Sequence, residues 1–324
     1  MPGSWPITKP GGEAEVIRPR RTALAGICLA LSIAACSDDR AVDRPTGADS
    51  VTSASQQAAP ATEAPCPDAE QEAWPTHLVL ARSTVENLRL ADPAGTDRAL
   101  NKPSVFITGR PDENPTPPGW ASVPTANFKS YAEFRRVVEA ARMHPSIRAV
   151  LYDPEGWSLT PPAERRDVVT YMERFSALAR THGWKVILTP SNDLMNLQDK
   201  LKHETNRQAY VRYRIAESAA RHADILEVQA QTLEQDPSAY REYVRQTRAQ
   251  AVAANPRVIF LSGLTTNLQG TPVSGSTLYD AAASVRELVD GFFLNVPRAT
   301  PSPANGVTLL RMLSEHTARQ CRAP

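Results

Sequence analysis

The stretch Arg148–Ser191, RAVLYDPEGWSLTPPAERRDVVTYMERFSALARTHGWKVILTPS, holds the pattern that decides the fold. Ala149-Val150-Leu151-Tyr152 is a short apolar run of the kind a fully buried strand needs, and it breaks abruptly at Asp153-Pro154-Glu155. Thr160 is a good cap, Pro161 and Pro162 suit a first helical turn, and His182-Gly183 supplies a stop, so 162–182 reads as one helix. Within it Tyr171, Phe175 and Leu178 recur at helical spacing and read as core. Lys185-Val186-Ile187-Leu188-Thr189 follows as a second strand, and a strand, a long crossover and another strand make a parallel unit.

The same rhythm runs outward in both directions. Apolar runs at 77–81, 104–108, 225–229, 258–261 and 292–296 add five strands, and helical segments are expected at 128–143, 206–222, 238–254, 277–290 and 305–319. Seven strands are legible, and an eighth is expected near 121–126 or after Pro297. Repeated strand and helix units over this length fit an α/β fold of the (β/α)8 TIM-barrel type. The alternative is a doubly wound open sheet, but no Gly-x-Gly-x-x-Gly follows a strand and no phosphate loop occurs.

The 324 residues carry a formal charge of +1, which gives no bulk attraction to polyanions, so nucleic acid is not an expected partner. Arg18, Arg20 and Arg21 precede the apolar run ALAGICLALSIAA, which is too short to span a bilayer and reads as a signal peptide over 1–35. Ile33-Ala34-Ala35-Cys36 resembles the lipobox of bacterial lipoproteins, which implies that Cys36 is diacylated and anchors the mature chain to a membrane outside the cytoplasm. Residues 36–73 are Ser, Thr, Ala, Asp, Gln and Pro with almost no large apolar side chain, and read as a tether to a domain at 74–324. Cys66 and Cys321 flank that domain, and in an oxidising compartment they are expected to form a disulfide; two free thiols are the alternative.

In a barrel the residues just past each strand build the site. Asp153 and Glu155 leave their strand on the same side, roughly 7 Å apart along the backbone, and mutual repulsion raises the pKa of one of them. Glycoside hydrolysis needs such a proton donor, and Trp157 offers a flat face for a sugar ring. Glu227, Gln229 and Gln231 alternate along another strand and so share a face, where they serve each other or a ligand. Asp193, Asn295 and Tyr152 complete the expected contacts with an oligosaccharide or polysaccharide. Glu227 is read with two roles open, a second functional carboxylate or a hydrogen-bonded structural glutamate.

The order of the Asp-x-Glu strand, a long helix, GWKVILTPS, ADILEVQAQT, RVIFLSGLTTNLQG and GFFLNVP resembles the chitinase-like glycoside hydrolases of family 18. In that family the fourth strand ends in Asp-x-x-Asp-x-Asp-x-Glu, with the glutamate as acid and the last aspartate assisting the substrate's acetamido group. The resemblance implies that Glu155 is the acid and Asp153 its neighbour, and it places Gln231 where the family has tyrosine. Leu151 and Arg148 stand where the earlier aspartates belong, and Thr232 where an aspartate follows the tyrosine. The six histidines form no zinc-binding pair and no Gly-x-Ser-x-Gly elbow occurs, so neither a metal nor another cofactor is expected. Three functions remain in play: a glycoside hydrolase with Glu155 as acid/base, a carbohydrate-binding protein that keeps the barrel without the chemistry, and a structural envelope protein.

Overall fold

Parallel pairing continues from strand to strand until the sheet closes on itself, as the computed structural model of the chain shows. Residues 77–320 are described, with side chains as far as Glu315; the expected leader at 1–35, Cys36, the tether at 36–73 and the Cys66–Cys321 disulfide lie outside the described residues. The first seven barrel strands are β1 His77–Ala81, β2 Val105–Gly109, β3 Val123–Phe128, β4 Ala149–Tyr152, β5 Lys185–Leu188, β6 Ile225–Val228 and β7 Ile259–Thr265. A small antiparallel hairpin, β8 Asn267–Leu268 with β9 Thr271–Pro272, precedes the last barrel strand, β10 Gly291–Asn295. β10 pairs with β7 on one side and β1 on the other, with Gly291 opposite His77, and so closes the (β/α)8 barrel.

The strand that the apolar runs leave unassigned is β3, in the first of the two places expected for it. Its sequence Val-Pro-Thr-Ala-Asn-Phe alternates instead of running apolar, because one of its faces reaches the barrel mouth. With β3 in place, the strand that ends in Asp153 is the fourth and the one that carries Glu227 is the sixth.

Alternation sorts the side chains into two cores. Val79, Phe106, Ala149, Leu151, Ile187, Ile225 and Leu261 fill the barrel interior and plug it from below. Leu80, Ile107, Phe128, Val150, Tyr152, Val186 and Leu226 point outward into the layer under the helices. There Phe175 stacks on Tyr152 with ring centroids 4.9 Å apart, and it meets Phe134 at 4.2 Å.

Helices α1 Arg82–Ala91 and α2 Pro93–Leu100 follow β1 without an intervening loop and were not legible in the sequence. α3 Tyr131–Glu139 starts after Ser130, whose hydroxyl accepts from the Glu133 amide at 3.1 Å. The helix expected over 162–182 is two, α4 Pro162–Arg166 and α5 Val168–Thr181, because Asp167 leaves helical geometry to cap the second through the Thr170 amide. Gly183, at φ 72°, stops α5 in the left-handed conformation that other residues adopt at a cost. The segment 206–222 likewise divides into α6 Asn206–Arg212 and α7 Ile215–Ala220 at Arg214. α8 Pro237–Ala254, α9 Gly275–Ser284 and α10 Ser302–Gln320 complete the outer ring. Among the described residues no helix is long and apolar enough to cross a membrane.

Candidate active site

The alternation that fills the barrel with apolar side chains turns polar at the C-terminal ends of its strands. Above Ala149 and Leu151 on β4 comes Asp153, and above Ile225 on β6 come Glu227, Gln229 and Gln231. A cavity of about 740 Å³ opens there, lined by these four residues together with Glu155, Asp193 and Asn295. Asn127, Lys129, Thr189, Asn192, Arg207 and Thr265 line it as well. A second hollow of about 730 Å³ shares Ala81, Thr108, Asn127 and Lys129 with the first, so the opening continues toward the ends of β1 and β2 as a cleft.

Asp153 is the best-tethered acid in the cavity. Lys129 forms an ion pair with it. The Thr189 hydroxyl donates to its Oδ1 at 3.0 Å, and the Gln229 amide approaches at 3.5 Å. Its backbone amide donates to the Phe128 carbonyl at 2.9 Å, which prolongs the β3–β4 pairing past the end of β4 and lines Lys129 up with it. The Asp153 side chain is only 13% exposed, so its ion pair with the Lys129 ammonium is largely shielded from solvent.

Glu155 follows in a loop rather than on the strand. Its amide donates to the Thr160 hydroxyl at 3.1 Å, and that hydroxyl in turn donates to the Lys129 carbonyl at 2.9 Å. The loop is pinned from the other side as well: the Ser191 amide donates to the Pro154 carbonyl at 3.1 Å, and the Gly156 amide donates to both oxygens of Asp193 at 3.0 Å. Burial pushes the Glu155 carboxyl up to about 7, with Asp153 the next cause; Asp193 and a hydrogen bond shared with Asp153 act in the same sense, and Lys129 opposes them. One acid is therefore paired with a cation while its neighbour is pushed up to about 7, where it can both give and take a proton near neutral pH, as acid–base catalysis requires.

Glu227 is the deepest of the acids at 1% exposure, and burial, then Asp153 and Glu155, hold its carboxyl well above the usual range. The Gln231 side chain lies across Gly263, where a Cβ would come within 2.2 Å of its amide nitrogen, so only glycine at 263 lets Gln231 fold in over Glu227. Asn295, at the end of β10 and so across the barrel from β4, lines the cavity as well.

Two expected contacts lie elsewhere. Tyr152 is fully buried on the outer face of β4, and its hydroxyl donates to Glu164 at 2.8 Å. Strand alternation puts it on the opposite face from Asp153, so it cannot reach a ligand in the barrel mouth. Trp157 lies outside the cavity lining; its indole donates to Thr160 at 3.2 Å, and the Lys129 ammonium sits 5.1 Å from its ring centre, so it braces Lys129 from outside. Asp193 lines the cavity, with its carboxylate engaged by the Gly156 amide. Arg82, just after β1, opens α1 and pairs with Glu86 and Glu113 in the second hollow.

Sequence reasoning passed over Asn127, Lys129 and Arg207. The first two sit at alternate positions after Thr125, the same pattern that singled out Glu227, Gln229 and Gln231, and recognising β3 would have brought them in. Arg207 comes from α6, and its guanidinium donates to the Gln231 carbonyl at 2.9 Å and also to Thr232, a contact with no signature in the sequence. Among the described residues no cluster of His, Cys, Asp and Glu is arranged to hold a metal ion.

No protein-family model and no curated protein matches the chain. Solved structures are similar in architecture. A class V chitinase from Pseudomonas fluorescens is similar over 74% of this chain and 98% of its own, at 8% identity and a TM-score of 0.44. A chitinase from Chromobacterium violaceum is similar over 76% and 99%, at 10% identity and a TM-score of 0.43. Triosephosphate isomerase from Bartonella henselae is similar over 74% and 99%, at 11% identity and a TM-score of 0.41.

Proposed function

We propose that the protein is a glycoside hydrolase that binds an oligosaccharide or polysaccharide along the cleft, with Glu155 as general acid/base and Asp153 as its electrostatic partner. The observation that carries this reading is the pair itself: a carboxyl pushed up to about 7 beside a carboxylate fixed by Lys129, at the open end of a barrel. Glu155 gives its proton to the glycosidic oxygen as the bond to the anomeric carbon breaks, and the leaving sugar departs with it. The positive charge that develops on the remaining sugar is met by the Asp153 carboxylate. Water then supplies the hydroxyl, and Glu155, now ionised, takes back a proton. Gln229, Gln231 and Asn295 are the neutral groups available to sugar hydroxyls around that point. We further propose, from the lipobox-like Cys36, that the enzyme works outside the cytoplasm as a membrane-anchored lipoprotein, tied at its ends by a Cys66–Cys321 disulfide.

The test is Glu155→Gln assayed against a panel of polysaccharides. Loss of hydrolysis with the melting transition preserved is the expected result, and full activity on any substrate would refute the assignment. One observation favours a second reading, a carbohydrate-binding protein without turnover: Asp153 is already satisfied by Lys129 and Thr189 and has to loosen those contacts to serve a sugar. Glycan binding by the wild type with no product released, and no change in affinity in Glu155→Gln, selects that reading.

A further inference from the structure

Among the described residues three glutamates are almost wholly withdrawn from solvent, and two of them are accounted for. Glu164 accepts from the amides of Tyr131 and Ala132 at 2.7 and 3.0 Å, which caps α3, and from the Tyr152 hydroxyl. Glu234 accepts from the amides of Thr232 and Thr265 at 2.6 and 3.0 Å and so ties the end of β7 to the loop after β6. Glu227 is different. It stands on the inner face of β6 directly above Ile225, lines the cavity, and its Oε1 meets no protein donor or acceptor.

The geometry points to Glu227 as a further substrate-contacting residue of this site, a neutral carboxylic acid whose Oε1–H donates a hydrogen bond to an oxygen of an uncharged sugar seated on the cavity floor. This rests on the glycan reading above and goes beyond it by assigning a residue and the charge of the sugar it takes. Among the described residues no cation pairs with Glu227, and Asp153 and Glu155 stand near it, so a lone charge there is removed by keeping the proton. Asn127, which lines the same cavity from β3, holds a second buried polar atom without a protein partner, the acceptor Oδ1. One donor and one acceptor, both uncharged, match the hydroxyls of a neutral pyranose.

Two measurements test this. The first needs no ligand: the infrared difference spectrum of the wild type against Glu227→Gln at neutral pH is expected to show the carbonyl stretch of a neutral carboxylic acid that the variant lacks. Its absence overturns the proposal. The second is calorimetric binding of chitohexaose and cellohexaose to Glu155→Gln, which prevents turnover. Adding Glu227→Gln, which keeps a donor, is expected to weaken binding at most about threefold, and adding Glu227→Leu about tenfold or more. Equal losses in both double variants, or none in the leucine variant, overturn the contact while the hydrolase reading stands on its own assay. If neither probe binds Glu155→Gln, the glycan reading falls and the substrate contact falls with it, whatever the infrared band shows.

Discussion

Replacing Glu155 with glutamine should make the protein more stable at alkaline pH and leave it unchanged in acid. In the unfolded chain the carboxyl titrates at its ordinary value of 4.5, and in the fold burial and Asp153 push it up to about 7. The native state therefore holds a proton that the unfolded state releases, so wild-type stability is full below 4.5 and falls as pH rises through 7. At about 1.36 kcal/mol for each tenfold change in proton affinity, the whole displacement corresponds to about 3 kcal/mol. Glu155 is half-buried rather than sealed, and solvent screening reduces this to about 1–2 kcal/mol. Glutamine has no proton to lose and keeps the loop contacts, which run through the Glu155 amide. Urea denaturation of both proteins at about pH 4, 6 and 8 measures the difference directly. The expected curve is flat in acid, opens between 4.5 and 7 and levels off above. A variant that is no more stable than wild type at about pH 8, or one stabilised equally at every pH, would show that Glu155 is not held protonated by its surroundings.

Tyr152→Phe removes one donor to the buried Glu164 and should cost about 1–2 kcal/mol in the melt, with glycan binding untouched; weakened binding would return Tyr152 to the site. Gly263→Ala places a methyl where the Gln231 amide lies and should swing that flexible side chain away from Gly263 at a cost of less than about 1 kcal/mol; a crystal structure of the variant with Gln231 unmoved would contradict the packing. Lys129→Met removes the cation that opposes the upward push on Glu155, so the acid that governs activity should titrate higher; a pH–rate profile shifted downward instead would refute the placement of Lys129.

The fold was legible because seven of the eight barrel strands are buried on both faces and announce themselves as apolar runs. β3 was legible only as one of two places for the missing strand, because its inner face reaches the cavity: Asn127 and then Lys129 break the run, and a segment that mixes polar and apolar side chains gives no clear apolar signal. The helices fared similarly. α5 and α8 are long and carry clean caps, whereas α1 begins at the residue after β1, with Ala81 in the cap position and no side-chain hydrogen bond to mark it.

In the site, the acidic pair could be read from spacing alone, since strand alternation puts Asp153 on the inner face whatever surrounds it. What spacing does not carry is the partner of each acid. Glu164, Glu227 and Glu234 are all buried glutamates at the edges of strands or helices, and nothing in the letters around them separates a helix cap from a loop tie or an open donor. The separation comes from backbone amides brought in from far along the chain, Tyr131 to Glu164 and Thr265 to Glu234, and from the lack of any for Glu227 Oε1. Lys129 follows the same logic: in the sequence it is a lysine before a helix cap, and it gains its meaning only when β3 and β4 pair and set it against Asp153. Which acid meets the cation and which is left to burial depends on how β3 and β4 pair, so the chemistry is decided by register, which the order of residues on one strand does not contain.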